Sequence, residues 1–268
     1  MTIDHTGADV RDGGVAGFGL IPVLLVVVSF LVAGCGTTPE QQEDQVEFQI
    51  QMNKGRAYLE RGRPQMALRA LTLARKMRPD NVEMLSMLGV VYDHLERPAQ
   101  SLAVLAKAHR LRPDDSEIHH NYGVALLRLK RYDEAEKSFR EVLSNPEFLT
   151  PEDAHFNLAI LYQQQEKYRE MEMALEQTIT LRPDHITALI TLADHNRLFR
   201  RFNKEQHYLR LATDQRPGDG VLMDRLADAY KRNGKLQQAR EVWQRMVERA
   251  PTSPEGQRAA MELKRWSR

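Results

Sequence analysis

Small and large apolar side chains recur at intervals of 34 residues between residues 48 and 253. Five prolines share this register and stand 34, 70, 34 and 34 residues apart, at Pro79, Pro113, Pro183, Pro217 and Pro251. The longer step is two periods plus two inserted residues. Such a period is typical of short helical units that stack because one unit cannot bury its apolar face alone. It predicts six units, each a helix A, a turn and a helix B, at residues 48–81, 82–115, 116–151, 152–185, 186–219 and 220–253.

The small residues of the pattern occupy position 8 of each unit: Gly55, Gly89, Gly123, Ala159, Ala193 and Ala227. Large residues follow at position 11: Tyr58, Tyr92, Leu126, Tyr162, Asn196 and Tyr230. A glycine inside a helix costs about 1 kcal/mol relative to alanine, so glycines at one repeated position need a packing reason. We expect helices A and B to approach closely at position 8, with position 11 filling the space beside it. The fifth unit departs from the pattern, because Asn196 and Glu205 are both polar.

This combination of small and large positions resembles the tetratricopeptide-repeat consensus. The resemblance implies an all-α fold, a right-handed superhelical solenoid of about six helix-turn-helix units. Residues 254–268 follow the last unit, and Ala259, Leu263 and Trp266 can share one helical face there. We therefore predict that this segment is a capping helix, which covers the apolar end of the array.

An uncharged, strongly apolar run at residues 15–34 precedes Cys35, the only cysteine of the chain. The run ends in small residues, which is typical of a cleaved export signal. Val32, Ala33, Gly34 and Cys35 together resemble the bacterial lipoprotein signal, in which the cysteine thiol accepts a diacylglyceryl group. We therefore predict a signal peptide at residues 1–34, lipidation of Cys35, and a lipidated polar tether at residues 35–47. Gly36, which is not an aspartate, implies an outer-membrane address in such lipoproteins, on the periplasmic face.

A second interpretation of the N-terminus stays open. A run of 20 uncharged residues can also span a bilayer without cleavage. The preceding residues carry Arg11 against Asp4, Asp9 and Asp12, whereas an export signal ordinarily has a basic start. The sequence therefore predicts attachment to a membrane and leaves the choice between a lipid and an uncleaved anchor open.

The formal net charge is +1, so the whole chain has no excess of either sign that predicts binding to nucleic acid. His119, His120 and His155 are the nearest candidates for a metal site, but no cysteine pair or histidine-carboxylate motif accompanies them. No nucleophile motif and no phosphate-binding glycine motif is present. We therefore expect neither an enzyme nor a metal, cofactor or small-molecule substrate. Arg197, Arg200 and Arg201 surround the turn of the fifth unit, either as a solvated loop or as a contact for an acidic partner.

The inner surface of such a superhelix is lined by positions 2, 5, 9 and 12 of helix A. The apolar residues at these positions are Met52, Leu59, Val90, His120, Val124, Leu127, Phe156, Ile160 and Ile190, with the histidine counted among them. Adjacent apolar side chains in a solvated groove favour a protein-binding site, although some of them can instead pack into neighbouring helices. Unit six carries Asp224, Asp228 and Lys231 at these positions and forms a polar rim.

The join between units three and four, residues 144–151, reads SNPEFLTP and contains the inserted residues. With the lipoprotein signal, the six repeats and the start Asn121-Tyr122-Gly123, it resembles the type IV pilus biogenesis and stability lipoproteins, the pilotins of the pilus secretin. The resemblance implies a periplasmic scaffold without enzymatic activity, held in the outer membrane by lipid, that binds secretin subunits and assists their assembly.

Two alternatives remain. A general periplasmic tetratricopeptide-repeat lipoprotein could serve another envelope machine, such as polysaccharide export or cell-wall enzymes. An accessory or catalytic domain hidden in the repeats is the third possibility, and the absence of a catalytic motif argues against it.

Overall fold

The computed structural model describes residues 39–266, which form a continuous series of α-helices. The predicted signal peptide and Cys35 lie outside the described residues. Within them the helices are α1 (Pro39–Glu60), α2 (Pro64–Met77), α3 (Val82–His94), α4 (Pro98–Leu111), α5 (Ser116–Arg128), α6 (Tyr132–Leu143), α7 (Pro151–Gln164), α8 (Tyr168–Leu181), α9 (Ile186–Leu198), α10 (Phe202–Gln215), α11 (Gly220–Arg232), α12 (Leu236–Arg249) and α13 (Pro254–Arg265). No described residue belongs to a strand.

Consecutive helices pack in antiparallel pairs, and each pair packs on the next. Helices α1, α3, α5 and α7 also contact one another in sequence, so the A helices of the first four units form one continuous layer. The last helix, α13, packs on α12 and α11, with Ala259 buried and Leu263 and Trp266 half-buried against the core. The all-α, tetratricopeptide-repeat solenoid predicted from the sequence is confirmed.

Side-chain caps favour the helix starts between units. Asn81, Asp115 and Asp219 each accept hydrogen bonds from backbone amides of the first turn of α3, α5 and α11. A cap of this kind satisfies an amide that has no partner within the helix and contributes about 1 kcal/mol. Inside the units, Pro64 and Pro98 begin α2 and α4, where the missing N–H of proline costs nothing.

Two residues after the end of each A helix, at position 15 of its unit, stands a residue in the left-handed backbone conformation: Gly62, Glu96, Lys130, Glu166, Arg200 and Gly234. The next residue donates its backbone N–H to the carbonyl of position 11, as Arg97 does to Tyr92 at 2.8 Å. This motif reverses the chain into helix B. Only two of the six positions carry glycine, so four non-glycine side chains accept an unfavourable backbone conformation.

Helices A and B approach closely at the glycines of position 8, as expected. The residue that faces them is the large side chain at position 24 of helix B, whereas the expectation gave that role to position 11. A Cβ on Gly55 would lie 2.6 Å from Leu71 Cδ2, and one on Gly123 would lie 2.9 Å from Phe139 Cε1. Because the B helix supplies the large residue, the glycines set the distance between the two helices.

The irregular fifth unit still forms a helix pair, α9 and α10. Its two polar residues are buried, with Asn196 fully inaccessible and Glu205 only 1% exposed. Asn196 Nδ2 donates to the Leu192 carbonyl at 2.8 Å, and Glu205 pairs with Arg232 of the sixth unit at 2.5 Å. An ion pair between units therefore replaces a small apolar contact within the unit.

The predicted tether differs from the structure at residues 39–47, which belong to helix α1 rather than to an irregular segment. Pro39 begins the helix and Glu40 lies in its first turn, where a negative charge is favourable. No glycine or proline follows before Gly55, so nothing ends the helix between the polar residues and the first repeat. Arg78 stacks on the ring of Phe48 at 4.6 Å and donates to Gln45, which ties the extension to α2. None of the helices between residues 39 and 266 is long and apolar enough to cross a membrane.

Candidate functional site: a groove along the A helices

The middle of the A-helix layer carries two adjoining cavities. The first, of about 320 Å³, is lined by residues that include Val90, His120, Val124 and Phe156. The second, of about 240 Å³, is lined by residues that include Val124, Leu127 and Ile160. Val124, Arg128 and Asn157 line both cavities, so the two form one continuous concave surface, which we call the A-helix groove.

Six of the nine predicted groove residues lie in the A-helix groove. The other three do not line these cavities. Met52 is only 2% exposed and packs in the N-terminal core with Phe48, so its assignment to an accessible groove is wrong. The physical reason is that Met52 and Phe48, one turn apart on α1, share the face that packs with α2 and α3. Leu59 and Ile190 are half-buried against the core at either side of the groove.

Polar side chains surround the apolar residues of the groove, and sequence reasoning missed them. Arg128 Nε lies 3.3 Å from Asp93 Oδ1, which joins units two and three across the groove. Asn157 Nδ2 lies 3.0 Å from His120 Nε2, which joins units three and four. Asp93 and Asp153 occupy positions 12 and 2, which the inner-surface pattern already marked, so that pattern could have found them. Asn157 stands at position 6, outside it.

The surroundings of His120 favour the neutral form of its ring. Burial lowers its pKa, and the carboxylate of Asp153 and a hydrogen bond with Asn121 only partly oppose this effect. A neutral ring can accept a hydrogen bond at Nε2 from the Asn157 amide, and it leaves the groove without a buried positive charge. The apolar character of the surface therefore extends across His120.

The inserted residues of the join between units three and four support this histidine. Phe148 is 7% exposed, and its ring centroid lies 5.6 Å from that of His120. Asn145 Nδ2 donates to Ser116 Oγ at 2.7 Å, which fixes the join against the start of α5. The longer join thus places an aromatic ring behind the groove wall, while its neighbour Leu149 remains 82% exposed.

His119, a second candidate metal ligand, is engaged in packing. The rings of His119 and His109 stack at 4.7 Å, and His119 Nε2 lies 3.2 Å from Glu141. Burial and the neighbouring His109 lower the pKa of His119, while Glu141 raises it. Between residues 39 and 266 no three histidine, cysteine, aspartate or glutamate side chains are grouped so that they could hold a metal ion. What the groove offers is apolar area with a few oriented polar groups, a combination suited to binding.

Four family models, each described as a tetratricopeptide repeat, match residues 52–116, 94–146, 152–185 and 220–263. Together they cover more than half of the chain, and none of the four covers the irregular fifth unit. The chain belongs to the tetratricopeptide-repeat proteins, a class of scaffolds that bind proteins or peptides.

Solved structures with the same fold include two proteins of type IV pili. PilW, described as a widely conserved type IV pilus biogenesis factor, is 23% identical with a TM-score of 0.63, over 82% of this chain and 99% of that one. PilF of Pseudomonas aeruginosa is 20% identical, also with a TM-score of 0.63, over 82% and 99% of the two chains. YrrB, described as a repeat protein with an unusual peptide-binding site, is 15% identical with a TM-score of 0.50, over 72% and 98%. At these identities the likeness shows the fold. A search of curated proteins finds no match.

Proposed function

We propose that this protein is an outer-membrane lipoprotein that binds secretin subunits in its A-helix groove and assists their assembly in type IV pilus biogenesis. The observation that carries the proposal is the continuous groove lined by Val124, Phe156 and Ile160, whose apolar side chains are half-buried and have space in front of them. Surfaces of this kind bind an apolar helix face or an extended segment. The pilus role draws on the likeness to PilW and PilF and on the join at residues 144–151.

Lipidation of Cys35 supplies the membrane address in this proposal. The sequence of residues 32–35 supports it, because small residues give a peptidase access to the backbone and the thiol accepts the lipid. Each buried methylene contributes about 0.8 kcal/mol, so several acyl chains anchor a protein firmly. Mass spectrometry of the protein extracted from its native envelope tests this step: a mature chain that starts at acylated Cys35 supports it, and an intact N-terminus overturns it.

The partner is tested by capture from solubilised membranes with the full chain as bait. We expect secretin to be recovered by the unaltered protein and lost with Val124→Asp plus Ile160→Asp, since a buried charge without a partner is costly in an apolar interface. Leu111→Asp plus Leu181→Asp is the matched control, because both leucines are about half exposed and line neither cavity. Recovery of another envelope complex in place of secretin would instead support a scaffold of a different envelope machine.

A further inference from the structure

The turns that join helix A to helix B carry most of the positive charge of the loops. These six turns, at residues 60–65, 94–99, 128–133, 164–169, 198–203 and 232–237, contain twelve Lys or Arg residues and four Asp or Glu residues. The joins between units, at residues 78–81, 112–115, 144–151, 182–185, 216–219 and 250–253, contain four and six. Because the helices of each pair are antiparallel, the two sets of loops lie at opposite edges of the solenoid. We call the first set the basic edge; the net charge of +1 for the whole chain conceals it.

The basic edge has a regular spacing of charge because a basic residue recurs at position 16 of the repeat. All six units carry a basic residue there: Arg63, Arg97, Arg131, Lys167, Arg201 and Lys235. In each unit the backbone N–H of this basic residue donates a hydrogen bond to the carbonyl of position 11. The six basic side chains therefore leave the backbone at equivalent places in successive repeats. Arg131 pairs with Glu134 and Arg201 with Glu172, and Lys167 lies over the Tyr162 ring. Among the described residues, Arg63, Arg97 and Lys235 have no carboxylate within ion-pair distance.

The basic edge has one apolar tip, at the turn of the fifth unit. Leu198 is 75% exposed, Phe199 49% and Tyr168 42%, and the Tyr168 and Phe199 rings lie 5.7 Å apart. Arg200 follows in the left-handed conformation, and Arg201 lies 5.6 Å from the Phe199 ring. Within the described chain neither Arg197 nor Arg200 has a carboxylate partner. Phe199 and Tyr168 also lie against the ring of His195, at 4.7 and 5.8 Å, so one side of each ring packs on the solenoid, whereas most of Leu198 is exposed to solvent.

A shallow cavity of about 320 Å³ adjoins this tip. Arg200, Arg201, Phe202, Asn203, Lys204 and Asn233 line it. Glu172 neutralises part of its charge, because it accepts from Arg201 at 2.9 Å and from Lys204 at 2.7 Å. Arg200 has no carboxylate partner among the described residues and can therefore bind an anion.

We infer that the basic edge docks on the surface of a bilayer that contains anionic lipids, with Leu198 and Phe199 inserted among the headgroups. Basic residues near an anionic membrane surface each strengthen binding about fivefold, and aromatic and aliphatic side chains at the interface add to this. The charges are spread over all six repeats, and the apolar residues are confined to one projecting tip. A protein partner would instead favour a concave, well-packed pocket with its apolar anchors at the centre. This inference does not depend on what the A-helix groove binds.

A comparison of two exposed leucines at opposite edges tests the inference. The full chain in a Cys35→Ser background, made by cell-free synthesis into lipid nanodiscs, keeps its apolar segment 15–34 attached. A fluorophore is placed by Leu198→Cys on the basic edge or by Leu149→Cys, 82% exposed, on the opposite edge. The two labelled variants share the same tethered chain, so they differ only in the edge of the solenoid that carries the fluorophore. Quenching by a nitroxide-labelled lipid measures contact with the bilayer.

In discs that contain phosphatidylglycerol we expect lipid quenching of the Leu198→Cys label to exceed that of the Leu149→Cys label several-fold. The difference should disappear in phosphatidylcholine discs and in about 1 M salt, where the Debye length falls to about 3 Å. Arg197→Gln plus Arg200→Gln should weaken docking about tenfold or more, since two charges are lost. Circular dichroism checks that each variant is folded, and Phe199→Ser gives a second test without a change of charge.

Three results would overturn the inference. The first is equal quenching of the two labels. The second is quenching of the Leu198→Cys label that is the same in anionic and in uncharged lipid discs. The third is a label that only an added secretin protects, which would assign the basic edge to an acidic protein surface instead.

Discussion

Gly89 in α3 lies directly against the side chain of Leu105 in α4, with no room between them for a Cβ atom. The same contact recurs between Gly55 and Leu71 and between Gly123 and Phe139. In these three units the glycine therefore allows helices A and B to approach closely. The three units precede the units that carry alanine at this position.

We expect Gly89→Leu and Gly123→Leu to overpack this contact and to lower the free energy of unfolding by about 1–3 kcal/mol. Urea titration followed by circular dichroism measures the change. Gly218→Ala is the control, because the nearest atom to a Cβ at Gly218 lies 3.7 Å away. Unchanged stability in both leucine variants would show that the helices can separate there at no cost.

Replacing a non-glycine residue in the left-handed conformation at position 15 by glycine should increase the stability of the fold. Lys130 has φ 59° and is exposed, so Lys130→Gly removes the steric cost of this conformation without removing a buried contact. We expect an increase of about 0.5–1 kcal/mol, because the cost of about 1–2 kcal/mol exceeds the extra entropy that glycine loses on folding. Gly62→Ala, at the equivalent position of the first unit, should show the opposite sign. If Lys130→Gly melts below the unaltered protein, the strain is not present.

Glu205 is buried and its partner Arg232 is partly exposed, so we expect unequal effects from removing one partner or both. Arg232→Ala leaves a carboxylate that is 2% exposed without its cation, and we expect a loss of about 3 kcal/mol. Glu205→Ala plus Arg232→Ala restores the small residue of other units, such as Ala67 and Ala239, so part of that loss should return. The double variant is therefore the control. A double variant less stable than Arg232→Ala would refute the unpaired charge as the cause.

Stability should fall at mildly acidic pH because buried histidines resist protonation. Burial lowers the pKa of His120 below its ordinary 6.5, so below that pH the unfolded chain binds more protons than the folded one. The contribution is fully present above about 6.5 and is lost as the pH falls through the folded pKa. Burial lowers the pKa values of His155, His185 and His195 as well.

Urea midpoints at about pH 7.5 and about pH 5.5 measure this effect, since carboxylates ordinarily titrate near pH 4. We expect His120→Gln to lose less stability between the two pH values than the unaltered protein. An identical loss in both would remove His120 from the explanation.

The fold is predictable from the sequence because particular residue types recur at fixed positions of the repeat. Proline marks the same position in five of the six units and a small residue marks position 8 in all six, and α3, α5, α9 and α11 begin at the first residue of units two, three, five and six. The groove prediction for Met52 is wrong because its repeat position alone does not show that it packs with Phe48 against α2 and α3. The link of Arg128 to Asp93 and the pair of Glu205 with Arg232 depend on how successive units stack, which no local pattern encodes. The sequence shows that the join between units three and four is two residues longer, but only the structure shows that Phe148 lies behind His120.

The most direct measurement of the central claim is the affinity of the full chain for purified secretin, compared between matched variants. Titration of labelled protein should give at least about 100-fold weaker binding for Val124→Asp plus Ile160→Asp, as expected when two central contacts are lost. Leu111→Asp plus Leu181→Asp should bind like the unaltered protein, and thermal melts should show both variants folded. Equal affinity of a folded groove variant and the control variant would contradict the account, because secretin would then bind elsewhere.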